Sequence, residues 1–284
     1  MLLSKTSLPW IEIHIATLLF GVAGLFGKFV ALPALWIVFG RVLFAAAALA
    51  VVIKIKKRPW RIASRKDLAI LFLLGGVLAL HWFTFFHAIQ ISTVAIGLLS
   101  FATFPVFVAF MEPYFFKERL QLRDFMIALV TFAGVALVVP DFDISNQMTA
   151  GVLWGLASGF TFAVISLINR KYVASYSGSV MAFYQDLFAC LCLLPFIAVL
   201  HIMPSAQDWM LLAVLGVLCT ALAHTLFINS MKTIKAAQAS IIVSLEPVYG
   251  IIFALILLHE IPDIRVTLGG LIILGAAYYT MRRK

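Results

Sequence analysis

Glu246 is the residue whose type and placement ask most urgently for a chemical role. It stands in Ser244-Leu245-Glu246-Pro247-Val248-Tyr249-Gly250, inside an apolar run from Ala236 to Leu258 that is long enough to cross a bilayer. A carboxylate in the middle of such a run costs ~2.5–3.5 kcal/mol on insertion scales. Pro247 beside it removes a backbone donor and clashes one turn back, so a charge and a helix break coincide at membrane depth. A group so placed can bind the cationic part of a substrate, or a proton. The plainer alternatives are a cap on the broken backbone or an ion pair with a basic residue elsewhere.

Other polar residues fall inside apolar runs. Arg41 could hold a substrate carboxylate or neutralise Asp186 or Glu246, whereas Lys28 lies near a run end and can snorkel to the interface. Tyr184-Gln185-Asp186 is an unusually polar triplet, with a buried ion pair as its plain reading. His81 could titrate near neutral pH or make an interhelical hydrogen bond. Trp82 could face a cationic group or pack against neighbours. His224 resembles His81 in placement, and Thr225 and Asn229 follow it on the same run. Trp154, Ser158 and Thr161 share a small-residue face, as do Gly21, Gly24 and Gly27, which read as packing surfaces. The candidate substrate-binding set is therefore Glu246, Trp82, His81, Arg41, His224, Tyr184, Asn229 and Trp154.

Enzyme signatures are missing. His259-Glu260 is followed by Ile261-Pro262-Asp263, so no zinc-binding H-E-x-x-H forms, and no nucleophile elbow or P-loop occurs. Asp186 is the one aspartate deep in an apolar run, which excludes a paired-aspartate intramembrane protease. We expect no catalytic site, no metal, no cofactor and no ATP-driven step.

The elements that must position these residues are membrane helices. The 284 residues are 64% hydrophobic and 12% charged, with a mean hydropathy of +1.09; soluble domains carry about 25% charged residues. Ten apolar runs of spanning length are expected, at roughly 11–31, 34–53, 68–88, 91–110, 124–140, 150–169, 179–200, 209–230, 236–258 and 264–281. The first is too long for the core of a cleavable signal and reads as a retained helix. Every connection is short. With the N-terminus in the cytoplasm, 18 of the 21 lysines and arginines fall in inside loops, and Arg265 alone falls outside. That bias predicts cytoplasmic N- and C-termini in a cell (inner or plasma) membrane. It also accounts for the net charge of +9 with no nucleic-acid partner. Cys190, Cys192 and Cys219 all lie in apolar runs, and neither a disulfide nor a metal pair is expected.

The chain also repeats itself. Pro105 is followed thirteen residues on by Glu118, and Pro247 by Glu260 at the same step, displaced by 142 residues. Ala95 and Ala237, Arg123 and Arg265, and Lys28 and Arg170 match at that displacement. The fold class expected is therefore all-α integral membrane, with ten transmembrane helices in two inverted five-helix repeats, residues 1–143 and 144–284. Five is odd, so the second half enters the membrane from the opposite side, and a binding site belongs near the midplane between the halves. Phe104 occupies the first-half position that matches Glu246, so the halves are not equivalent there.

Ser244-Leu245-Glu246-Pro247-Val248, His259-Glu260, Leu268-Gly269-Gly270 and Leu274-Gly275 resemble the end of an EamA repeat. Phe104-Pro105-Val106, Lys117-Glu118-Arg119-Leu120 and Ala133-Gly134 resemble the end of another. The chain is thus similar to EamA-type members of the drug/metabolite transporter superfamily over nearly its whole length. Ile261-Pro262 departs from the pattern after Glu260, as does Ala276 opposite Gly134. The resemblance implies a ten-helix exporter of small metabolites or amino acids. It implies a central cavity between helices 1, 3, 4 and 6, 8, 9, with helices 5 and 10 outside. It also implies that Glu118 and Glu260 serve structure, satisfying nearby helix N-termini. The function expected is a secondary transporter exporting a small polar or zwitterionic metabolite by alternating access, with protons as a candidate coupling ion. The alternatives are an uncoupled facilitator and a cationic multidrug efflux protein. Oligomeric state is left open.

Overall fold

A computed structural model describes residues 8–116, 122–139, 143 and 145–281. Among them the chain is helical, with no strand. The helices are α1 (Leu8–Phe29), α2 (Ala34–Ile55), α3 (Arg65–Ile91), α4 (Val94–Phe101), α5 (Phe104–Phe116), α6 (Leu122–Val138), α7 (Gln147–Tyr172), α8 (Gly178–Val199), α9 (Ala206–Gly216), α10 (Ala223–Ser230), α11 (Ala236–Val243), α12 (Glu246–Leu257) and α13 (Ile264–Met281). A π-helical turn, Val217–Leu222, joins α9 to α10 in one continuous rod. Helix occupies every apolar run read from the sequence. Seven helical stretches are long and apolar enough to cross a membrane, among them Val94–Phe116 (α4 with α5) and Ala206–Ser230 (α9 to α10). The apolar parts of α6, α12 and α13 are shorter, at Phe125–Val138, Glu246–Leu257 and Ile264–Ala276.

Starts of helices follow from side-chain caps on orphan backbone donors. Ser64 accepts from Asp67 N, Thr93 from Ile96 N and Asn146 from Met148 N, opening α3, α4 and α7. Ser205 and Asp208 form a reciprocal capping box at α9.

Two apolar runs are broken at matching places. α4 ends at Phe101 and α5 begins at Phe104; α11 ends at Val243 and α12 begins at Glu246. The four boundaries keep the displacement of 142 found in the sequence. Pro105 and Pro247 each take the second position of the new helix, where a missing N–H costs nothing. The prolines thus begin a segment, and the break lies just before them.

Packing is close where side chains are small. A Cβ on Gly21 would lie 2.9 Å from the Glu246 carbonyl oxygen and 3.1 Å from Gly250 N, so α1 and α12 touch backbone to backbone beside Glu246. Gly134 and Gly269 play the same part between α6 and α13. That pair packs together, with a separate apolar cluster built on Val135, Val138, Val266 and Ile273. The main apolar core runs through the other helices. Glu260 Oε2 accepts from Val94 N at 2.9 Å, so this loop carboxylate caps α4 as expected. Glu118 lies outside the described residues.

Candidate functional site

The break before α12 sets Glu246 in its first turn, and the Gly21 contact presses that turn against α1. Glu246 is 3% exposed, and no residue among those described gives its carboxylate a hydrogen bond. The side chain lines a cavity with Phe20 and Ala23 of α1, Arg41 of α2, Leu78, His81, Trp82 and Phe85 of α3, Phe101 of α4, Phe162 of α7 and His224 of α10. Empty space in it totals about 410 Å³, of which about 30 Å³ can hold the centre of a water molecule. That is room for about two or three waters, so this conformation is closed around the site.

Arg41 is 1% exposed and organised from three sides. Its guanidinium carbon lies 3.8 Å from the Trp82 ring centroid and 5.3 Å from that of Phe86, within cation–π range. Nε donates to Thr220 Oγ1 at 3.0 Å, and Nη2 to the Cys219 carbonyl at 3.4 Å. Both acceptors sit in the π-helical turn, and Thr220 in turn donates to the Leu215 carbonyl at 2.9 Å. Such turns recur at functional sites because they displace carbonyls from the helical ladder. Arg41 interacts electrostatically with Asp186 and Glu246.

His81 is 4% exposed. Its Nδ1 lies 3.0 Å from both the carbonyl oxygen and the hydroxyl of Ser158, and that hydroxyl donates to the His81 carbonyl at 3.2 Å. A carbonyl only accepts, so bonding to it puts the hydrogen on Nδ1 and leaves Nε2 an acceptor. His224 sits edge-on to Trp82, ring centroids 5.9 Å apart, with its Nδ1 buried and unpartnered. The arrangement offers one carboxylate, one guanidinium, two imidazoles and an indole face around a small apolar chamber. It can bind charged groups of either sign and holds no activated nucleophile. No group of metal-ligating side chains occurs among the described residues.

Five of the eight sequence candidates meet here: Glu246, Trp82, His81, Arg41 and His224. Three lie elsewhere. The Tyr184 hydroxyl donates to the Trp60 carbonyl at 2.8 Å, since it lies two residues from the inward-facing Asp186 and so points about 200° around α8. Asn229 Oδ1 accepts from Gly178 N at 3.2 Å and so caps α8 instead of reaching the cavity. Trp154 is 37% exposed and packs on Phe83 and His87. It is eight residues from Phe162, about 12 Å along α7 and beyond the cavity.

Two features escaped the sequence reading. The Arg41 anchor in the π-helical turn has no residue signature. Glu112 of α5 pairs with Arg170 of α7, whose guanidinium carbon also lies 4.0 Å from the Phe116 ring centroid. Glu112-Pro113 repeats the dipeptide Glu246-Pro247, a signal that was there to be read.

A multi-helix membrane protein whose broken helices meet at a small, largely apolar chamber walled by buried charged and aromatic side chains is a membrane transporter by class. The chain belongs to the EamA-like transporter family, whose model matches it twice, over residues 10–139 and 149–282. It is 24% identical to the uncharacterized transporter YxxF of Bacillus subtilis (strain 168), over 96% of this chain and 89% of that one. It is 22% identical to an S-adenosylmethionine uptake transporter of Rickettsia bellii (strain RML369-C), over 68% of this chain and 65% of that one. A solved crystal structure, 18% identical, superposes with a TM-score of 0.72 over 99% of each chain and shares the fold.

Proposed function

We propose that this protein is a secondary transporter moving a small metabolite with a cationic or zwitterionic head, amino-acid-like in class, by alternating access to the central chamber. The observation that carries the reading is Glu246: a carboxylate on the chamber wall without a hydrogen-bond donor, facing Arg41 and Trp82. Glu246 takes the substrate's cationic group, Trp82 offers an aromatic face, Arg41 balances charge, and His81 and His224 shape the chamber. The two moving units are inverted five-helix halves, residues 1–143 and 144–284, in a bacterial inner membrane with both termini in the cytoplasm. The twofold family match and the helix breaks 142 residues apart support that layout. Export is the direction we favour. The relatives named for S-adenosylmethionine uptake carry the opposite direction in their name, and they make that sulfonium compound a sensible first probe.

The test is transport in proteoliposomes, read in both directions, with S-adenosylmethionine and a set of labelled amino acids. Glu246→Gln should reduce transport at least tenfold; unchanged uptake would reject the role given to Glu246. Efflux of lipophilic cations is a second reading, favoured by the aromatic wall around Arg41. Competition between tetraphenylphosphonium and the metabolite separates the two readings. Flux that ignores an imposed pH gradient and shows no counterflow would instead mark an uncoupled facilitator.

A further inference from the structure

Asp186 is 0% exposed, and both of its carboxylate oxygens are buried without a hydrogen-bond partner. It does not line the chamber. The groups that face it can be named from each element packed on α8. α2 supplies Arg41, its electrostatic partner, although no ion pair or hydrogen bond joins them. α3 meets α8 through Gly75, against the Gln185 carbonyl and Ala189 N, and supplies His81, which interacts with Arg41 and His224. The π-helical turn supplies Cys219, which interacts with Arg41, and α8 itself supplies Cys190. α10 supplies His224, which interacts with Arg41.

One guanidinium thus serves two carboxylates. Arg41 directs its donors to neutral oxygens of Thr220 and Cys219 and its face to Trp82, and it closes on neither acid. Were both acids ionised, the buried cluster would carry a net negative charge, which is costly in a medium of low dielectric. The two acids differ in one respect. Glu246 opens on the chamber and can be hydrated there; Asp186 has neither water-accessible space nor a donor. A carboxylate with no donor at either oxygen is the form that burial penalises most.

We infer that Asp186 is the coupling-proton site of this transporter, distinct from the substrate site at Glu246 and linked to it through Arg41. The inference rests on the reading of Glu246 given above. In the closed, empty state Arg41 carries one positive charge, Glu246 one negative charge and Asp186 a proton, so the cluster is neutral. A cationic group arriving at Glu246 adds one positive charge. Breaking the Asp186 O–H bond and releasing that proton to the bulk water on the open side restores neutrality. Each cationic head is therefore exchanged for one proton.

Infrared difference spectroscopy of the protein in liposomes, without cargo, reads Asp186 directly. A protonated-carboxyl band should be present at neutral pH, vanish in Asp186→Asn and shift in Asp186→Glu; Glu246→Gln, which leaves Asp186 as the one acid facing Arg41, should ionise Asp186 and lose the band too. No such band at neutral pH, a band kept in Asp186→Asn, or one unshifted in Asp186→Glu would overturn the inference. Should Asp186→Asn fail to fold, the shift in Asp186→Glu decides the assignment. A pH dye then follows proton release on addition of S-adenosylmethionine or tetraphenylphosphonium, with one proton expected per cation bound. Asp186→Asn should abolish both the release and gradient-driven accumulation, and Asp186→Glu should restore them in part. Release that persists in Asp186→Asn would overturn the inference. Transport of neither probe would count against the proposed cargo class, while the infrared band still decides Asp186.

Discussion

The Glu112–Arg170 pair gives the sharpest test of how this bundle is held. It ties α5 to α7, with the Arg170 side chain 17% exposed and that of Glu112 5% exposed. Arg170→Ala removes the cation and leaves the more deeply buried acid without it. Breaking a buried pair costs about 3–5 kcal/mol, and the lost stacking on Phe116 adds about 0.5–1 kcal/mol. Partial exposure of Arg170 and the further contacts of Glu112 discount this to about 3 kcal/mol. Glu112→Ala is milder. The guanidinium left behind keeps Phe116 beneath it and can turn toward water, so a loss of about 1–2 kcal/mol is expected. The double variant should show a coupling of about 1–2 kcal/mol. The assay is equilibrium unfolding in mixed micelles with increasing sodium dodecyl sulfate, followed by tryptophan fluorescence for the four proteins of the cycle. Additivity within about 0.5 kcal/mol, or a greater loss from Glu112→Ala than from Arg170→Ala, would refute the reasoning.

Three further predictions concern packing, capping and the chamber. Gly21→Val should destabilise the protein by about 1–3 kcal/mol in the same unfolding assay, because the atoms it meets are two backbone atoms and the Tyr249 Cβ of α12, none of which can swing aside; Gly24→Ala, which meets the Leu98 side chain at 3.4 Å, should be nearly silent. Glu260→Ala should cost about 1 kcal/mol through the lost cap on Val94 N, while Glu260→Gln keeps an acceptor oxygen and should cost less than half of that, read as thermal midpoints. Trp82→Leu should weaken the hold on Arg41 by about 1–2 kcal/mol and Trp82→Phe by less. Substrate affinity, measured by scintillation proximity, should fall in that order, and equal losses in the two variants would remove the indole face from the account.

Helix positions were legible because apolar runs set by bilayer thickness leave few alternatives. The broken segments were also legible, since Pro105 and Pro247 forbid the donors that a continuous helix needs. Glu246, Arg41, His81, Trp82 and His224 stood out because each is polar or aromatic at membrane depth, and the fold brings them to one chamber. Tyr184, Asn229 and Trp154 drew notice for the same reason, yet depth does not fix azimuth. Which way a side chain faces depends on packing partners that the sequence does not display. The link between Arg41 and the π-helical turn was invisible for a related reason: nothing in the residues Val217–Leu222 marks a wider turn, and the bonds that Arg41 makes to Thr220 and the Cys219 carbonyl there depend on a packing partner 179 and 178 residues away.

The wide turn at Val217–Leu222 also sets the phase of everything after it. Were the same residues to wind as a regular α-helix, the extra residue that the wide turn absorbs would rotate α10 by about 100°. His224 would swing off the chamber wall, and the Asn229 cap on α8 would lose its target, though neither residue had been touched. The chamber therefore depends on the winding of a stretch none of whose residues lines it: whatever releases the wide turn dismantles the chamber from a distance.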